Sequence, residues 1–199
     1  MKIGNIEIKH GVFLAPMAGV ADGAFRKMCK KYGAECVTTE MISAKALVYG
    51  DKKTALLAHI DEIERPCALQ LFGSDPETMA QAAQLALRFS PDMIDINMGC
   101  PVHKVVRSGD GSALMKDPEK AYAVIKSTVG AVGDRVPVTV KIRTGFDKEH
   151  RNAPQIARLA EEAGASAVTV HGRTREQMYA PPCDLETIAA VKRAVSIPV

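Results

Sequence analysis

The sequence predicts an α/β fold of the TIM (β/α)8 barrel type, incomplete, with about seven of the eight strands inside its 199 residues. Three observations predict it. Short apolar, β-branched runs alternate with helical segments along the chain, the pattern of parallel strands joined by right-handed crossovers. Gly33-Ala-Glu-Cys-Val-Thr38 and Gly164-Ala-Ser-Ala-Val-Thr169 share one grammar: a helix-ending glycine, an alanine, then a strand. Finally, an initial hairpin-like segment followed by six similar units favours a barrel over an open doubly wound sheet. A closed barrel typically needs ~250 residues. The chain stops as its seventh strand opens, so residues 1–199 read as one truncated domain of a longer protein, without linkers or low-complexity tracts.

In order, residues 3–8 read as a short strand and His10-Gly11 as a turn. Val12–Ala15 is the first buried strand, and Asp22 caps a helix closed by Gly33. Cys36–Thr39 is a second strand, followed by a helical segment from Ser43 to about His59 and a third strand at Cys67–Phe72. Ser74-Asp-Pro-Glu77 gives a capping box with an early proline, and Met79, Ala83, Ala86 and Leu87 line one face of the helix it opens. Met93, Ile94 and Ile96 form the fourth strand, ended by Asn97-Met-Gly-Cys-Pro101, where glycine and proline stop the ladder. Asp117-Pro118-Glu119 caps a helix running to about Gly130, and Val138–Arg143 is the fifth strand. Ile156, Leu159, Ala160 and Ala163 face the core from the next helix. Ala167–His171 is the sixth strand, Leu185–Val195 a helix, and Ile197-Pro-Val199 the opening of the seventh strand.

Composition narrows the class. Hydrophobic residues make up 47% and charged residues 25%, a normal globular balance. No apolar run approaches the ~20 residues of a membrane span, and the N-terminus has no signal-peptide core. A cytoplasmic protein is expected. The five cysteines contain no C-x-x-C pair, and the five histidines no H-x-x-x-H pair, so reduced thiols and no metal are expected. The net charge of +3 is compatible with a polyanionic partner.

Functional residue types gather where strands end: Pro16-Met17-Ala18, Gln70, Asn97 with Cys100, Lys141 with Arg143, and His171. In parallel α/β folds that edge is where chemistry is done. Alone, Cys100 reads as a small buried hydrophobe, as most free cysteines are, Lys141 as a strand-end ion pair and His171 as a satisfied core histidine. Polar residues on a buried strand cost desolvation unless something partners them, and five strands ending this way make a shared mouth. Lys141 and Arg143 have the same parity and point to one face. Such a mouth suits a planar, polar, anionic cofactor.

At these residues the sequence resembles the tRNA-dihydrouridine synthases, flavoproteins that reduce uridine in tRNA. Ala15-Pro-Met-Ala-Gly-Val-Ala-Asp22, Ile96-Asn-Met-Gly-Cys-Pro101, Gly109-Asp-Gly-Ser-Ala-Leu114, Val140-Lys-Ile-Arg143 and His171-Gly-Arg-Thr174 are similar to that family's motifs, in its order. The resemblance implies FMN as cofactor, NADPH or NADH as transient hydride donor, and tRNA as partner. It implies that Pro16, Met17 and Ala18 form a backbone shelf beside the flavin ring, that Gln70 bonds its pyrimidine portion, and that Lys141 stands by its N1/O2 side. By the same resemblance His171 is a further flavin contact, Asn97 and Arg143 meet the substrate, and Cys100 gives the proton to C5 of uracil. A thiol of ordinary pKa, about 8.5, is protonated at neutrality and can be that acid. The family's phosphate-binding loops and its C-terminal helical tRNA-binding domain lie outside residues 1–199. The same residues leave open a flavin barrel acting on a free pyrimidine, as in dihydroorotate oxidation, or a non-catalytic tRNA-binding fragment.

Overall fold

The computed structural model describes residues 1–199. The chain opens on an antiparallel hairpin, β1 (Lys2–Ile3) and β2 (Ile6–Glu7). One strand was expected over 3–8, but Gly4, at φ +56°, folds it back on itself. The main sheet is parallel throughout. Its arc runs β3 (Phe13–Leu14), β4 (Cys36–Thr38), β6 (Cys67–Phe72), β7 (Met93–Met98), β8 (Val138–Arg143) and β9 (Ala167–His171), with β5 (Ile42–Ser43) beside the far end of β6. Helix α1 (Gly23–Lys31) joins β3 to β4, and α2 (Ala44–Val48) and α3 (Lys52–Leu57) lead from β5 to β6. Helix α4 (Pro76–Ala86) precedes β7, α5 (His103–Arg107) and α6 (Pro118–Val132) precede β8, α7 (Ala153–Glu162) precedes β9, and α8 (Leu185–Ala194) follows it. On the outside α4 packs on α6, α6 on α7 and α7 on α8, giving a partial β/α barrel.

Short polar residues start these helices. The carboxylates of Asp22, Asp75, Asp117 and Asp184 each accept from the backbone N–H three residues on, satisfying a donor that the helix leaves free. At α4 the cap is Asp75, not Ser74, because Pro76 occupies the first helical position and fixes the residue before it as the cap.

Alternation along the strands creates two cores. Outward residues such as Val37, Leu69, Ile94, Ile96, Val140 and Ile142 join Met79, Ala83, Ile125, Ile156 and Ala160 of the helices in a cluster of 34 buried residues. Inward residues Cys36, Ala68, Met93 and Ala167 meet Ile3 and Ile8 in a separate cluster of 6. The N-terminal hairpin is therefore a plug under the barrel's lumen, presenting its isoleucines to four strands.

Four expectations need correction. The first strand is only Phe13–Leu14, with Val12 52% and Phe13 39% exposed, because it is the edge of the sheet and has a strand on one side only. The helical stretch at 43–59 is two short helices, broken at Gly50 with φ +72°, and is entered through β5. Ile197–Val199 forms no ladder; one bond, Val168 N–H to the Pro198 carbonyl at 3.0 Å, marks where it lies beside β9. Along α7 Ile156 and Ala160, with Ala163 just after it, are buried as expected, whereas Leu159 is only half-buried and Ala153 and Ala157 complete the face. No helix is long and apolar enough to cross a membrane.

A polar lumen as candidate active site

The parity that lays an apolar floor also stacks polar residues above it. Going up β7, Met93, Asp95 and Asn97 face the lumen in turn, while Ile94, Ile96 and Met98 face the helices. The register sets Gln70 of β6 beside Asp95, Asp95 beside Thr139, and Asn97 beside Lys141 of β8. A cavity of about 310 Å³ rises from Ile3 and Ala68 past Thr38, Asp95 and Thr139 to Lys141 and Pro16.

Beside this cavity three expected site residues, Gln70, Asn97 and Cys100, are joined in one row, and a fourth, Lys141, paired in register with Asn97, lines the cavity itself. The Thr139 hydroxyl donates to Asp95 Oδ1 at 2.6 Å, and Gln70 Nε2 donates to Asp95 Oδ2 at 2.6 Å. Asn97 Nδ2 donates to Gln70 Oε1 at 2.9 Å. Asn97 Oδ1 then accepts from the backbone N–H groups of Gly99 at 3.2 Å and Cys100 at 2.9 Å. The cysteine loop thus hangs from a row of side chains on β6, β7 and β8. The Ser112 hydroxyl holds the Cys100 carbonyl from the other side at 2.8 Å. Gly111, at φ +60°, backs the loop so closely that a Cβ there would lie 3.0 Å from the Cys100 Cβ.

Burial dominates the electrostatics. It pushes the Asp95 carboxyl up to about 6, against the bonds from Gln70 and Thr139 and the charge of Lys141. It lowers Lys141 from the ordinary lysine value, aided by Arg143 and opposed by Asp95. Lys141 is half-buried and joins none of the ion pairs of the molecule. Burial also raises the Cys100 thiol, opposed by the Val102 N–H and Arg143, so the sulfur is protonated at neutral pH.

The remaining expected residues are placed differently. Pro16 lines the lumen cavity, whereas Met17 and Ala18 are exposed on the turn that follows β3. The Met17 carbonyl accepts from Val20 and Ala21, and the Gly19 N–H donates to the Glu40 carboxylate, which ties this turn to the chain after β4. Arg143 and His171 are side by side at the ends of β8 and β9. Arg143 is a buried strut: Nε donates to the Gly99 carbonyl at 2.7 Å, and a terminal nitrogen donates to the carbonyls of Thr174 at 3.0 Å and Met178 at 2.9 Å. His171 is half-buried. Burial and the charges of Arg143, Lys141 and Arg173 pull its pKa to about 4, leaving a neutral ring 3.1 Å from an Arg173 nitrogen.

Asp95 and Thr139 were not picked out from the sequence, nor were Gly111 and Ser112 as supports of the thiol. The signal for the first two was present: both have the parity of residues that were picked out, Asn97 and Lys141. The supports of the loop come from a two-turn 3-10 helical segment, Gly111–Lys116, whose approach to Cys100 only the tertiary structure reveals. No group of three or more His, Cys, Asp or Glu side chains is placed to hold a metal ion.

The sequence model of the dihydrouridine synthase (Dus) family matches residues 13–199. Over its whole length the chain is 46% identical to tRNA-dihydrouridine synthase B of Shewanella oneidensis and 43% identical to that of Pseudomonas aeruginosa. It covers 61% and 59% of them, so it spans about three-fifths of the length of these relatives. Among solved structures, 99% of the chain aligns with 77% of morphinone reductase at a TM-score of 0.66 and 12% identity. All of it aligns with 41% of histamine dehydrogenase from Rhizobium sp. 4-9, at a TM-score of 0.69 and 13% identity. At such identities the likeness is one of fold.

Proposed function

The chain belongs to the dihydrouridine synthase family, and on that premise we propose that it carries the flavin site and proton donor of an enzyme reducing uridine in tRNA to 5,6-dihydrouridine. The observation that carries this reading is the row from Asp95 through Gln70 and Asn97 to Cys100, set beside an unpaired Lys141 at one end of the barrel.

The residues present fit the ring of FMN. Lys141 is a half-buried cation without a partner, and burying a charge is costly unless an anionic or electron-rich group compensates it. Gln70 keeps one N–H and one lone pair beyond those used toward Asp95 and Asn97, but it is fully buried and does not line the cavity, so meeting the pyrimidine edge of the ring requires a neighbour to shift. Pro16, Met17 and Ala18 offer an apolar shelf, and the neutral His171 a further polar contact. When bound, FMN would supply the hydride for uridine reduction, with NADPH or NADH as its reductant.

The chain's own residues account for the rest. Asn97 spends one N–H on Gln70 and aims the other at the Met41 sulfur, 3.7 Å away, where a uracil carbonyl would be the stronger acceptor. The Cys100 thiol holds its proton at neutral pH and releases it to C5 of the pyrimidine. Arg143 acts on the substrate side through the loops it ties, those of Gly99, Thr174 and Met178. A uracil stacked in folded RNA must be extruded to reach this lumen, at a cost of a few kcal/mol. Exposed Lys104 and Arg107 on α5 are placed to attract the RNA backbone.

Cys100→Ala tests the reading. Dihydrouridine in tRNA, measured by mass spectrometry, should fall by roughly 10²–10⁴-fold, the worth of a general acid, while nicotinamide-driven bleaching of the flavin continues. Dihydrouridine formation at the wild-type rate would overturn the role of Cys100. Turnover of dihydroorotate in place of tRNA would move the reading to a free pyrimidine.

A further inference from the structure

We infer that Asp95 is a positioning residue: it fixes which way the Gln70 and Asn97 amides face, and through them holds the Cys100 loop in place. A side-chain amide is nearly symmetric in shape, so only its partners decide where its oxygen and nitrogen lie. Here both ends of the row are fixed. At one end the Asp95 carboxylate can only accept, and it takes the Thr139 hydroxyl and Gln70 Nε2, both at 2.6 Å. At the other end the N–H groups of Gly99 and Cys100 can only donate, at 3.2 and 2.9 Å.

Two amides between a fixed acceptor and fixed donors satisfy every contact in one orientation only. Gln70 must turn its nitrogen to Asp95 and its oxygen to Asn97. Asn97 must then turn its nitrogen to Gln70 and its oxygen to the loop. Gln70 is fully buried, Asp95 5% exposed and Asn97 8% exposed, so water offers little competition, and such bonds strengthen in a dry setting. Asp95 touches neither the thiol nor the loop, and its influence passes through two side chains.

For what the ordered thiol serves, this inference rests on the uridine reduction proposed above. Its test needs neither flavin nor RNA, so the two can fail separately. The test is peptide-resolved alkylation of the holoprotein and of the flavin-stripped protein by iodoacetamide, following Cys100, Cys36, Cys67 and the exposed Cys183 in one sample. Asp95→Leu leaves Gln70 Nε2 without its acceptor, and Cys100 labelling should rise roughly two- to tenfold, the range that one net hydrogen bond corresponds to. Labelling of Cys67 should stay unchanged, and Cys36, which shares the cavity and the charge of Asp95, should change less than Cys100.

Asp95→Asn should restore the slow rate, because its oxygen can face Gln70 while its nitrogen faces a Thr139 hydroxyl turned to accept. Gln70→Leu cuts the row in the middle, and combining it with Asp95→Leu should add nothing at Cys100. Three results would overturn the inference: wild-type labelling of Cys100 in Asp95→Leu, equal acceleration at Cys36 and Cys67, or Asn at position 95 behaving like Leu. If Asp95→Leu fails to fold, Gln70→Leu against wild type carries the same decision, since unchanged Cys100 labelling there rejects the row.

Discussion

The floor and the mouth of the lumen are made by the same strands with the same parity, yet they are opposite in chemistry. Below, Cys36, Ala68, Met93 and Ala167 close around Ile3 and Ile8. One step up those strands, Thr38, Gln70, Asp95 and Thr169 replace them, with Thr139 of β8 beside Asp95, and another step brings Asn97 and Lys141. The thiols record the contrast. Cys36, on the floor, is pushed up to about 12 by burial and is inert as a nucleophile. Burial raises Cys100 as well, but Arg143 and a backbone N–H work against it. Height along the strand, not the face of the strand, separates a residue that supports the barrel from one that serves the site.

The sharpest way to break this comparison is to damage the floor and look for an effect at the mouth. Ile8→Ala should cost about 2–4 kcal/mol of stability, read by denaturant unfolding, because it leaves a hole under four strands. Cys36 labelling should quicken while Cys100 labelling holds; a parallel rise at Cys100 would show that the two layers are one unit. Next in size is Lys141→Met. Flavin affinity should fall roughly 10- to 100-fold, the worth of a hydrogen bond to a charged group, with the melting temperature unchanged or raised, since an unpaired half-buried cation is gone. Loss of stability together with affinity would make Lys141 part of the scaffold.

The smallest effect is on pH dependence, where two groups of the upper lumen act with opposite sign. Asp95 holds its proton more tightly folded than unfolded, about 6 against an ordinary 3.8, so its contribution is full below about pH 4 and is lost as pH rises through 6. His171 is depressed to about 4 from 6.5, so its contribution is present above pH 6.5 and is lost as pH falls through 4. Between these limits the two partly cancel. Asp95→Asn should steepen the loss of stability on acidification, and His171→Gln should lessen it. Urea midpoints from pH 4 to 7 measure both, and slopes of the same sign would refute the assignment.

Much of this arrangement was legible in the chain. The helix-ending glycines, the aspartate caps and the alternation of strand and helix located every long element, and ordering polar strand ends located Gln70, Asn97, Cys100 and Lys141 in one mouth. What escaped was what depends on partners far away in sequence. Asp95 looks like one polar interruption in an apolar run until Gln70 and Thr139 are brought beside it by the register. Arg143 shares parity with Lys141, yet parity gives a face and not a partner. Its carbonyl partners, Gly99, Thr174 and Met178, belong to two other loops. The edge position of β3 was hidden for a similar reason, because Val12-Phe-Leu-Ala15 is apolar enough for an interior strand.

The glycine at position 111 has a consequence for how this thiol can vary. A hydrogen atom stands where any other residue would push on Cys100 and on Val105, 3.0 Å away. Room for the sulfur is therefore set by a missing methyl group, and enlarging that spot shifts the thiol itself. Tuning of its reactivity has to come through groups that hold its backbone, such as the hydroxyl at 112 on its carbonyl.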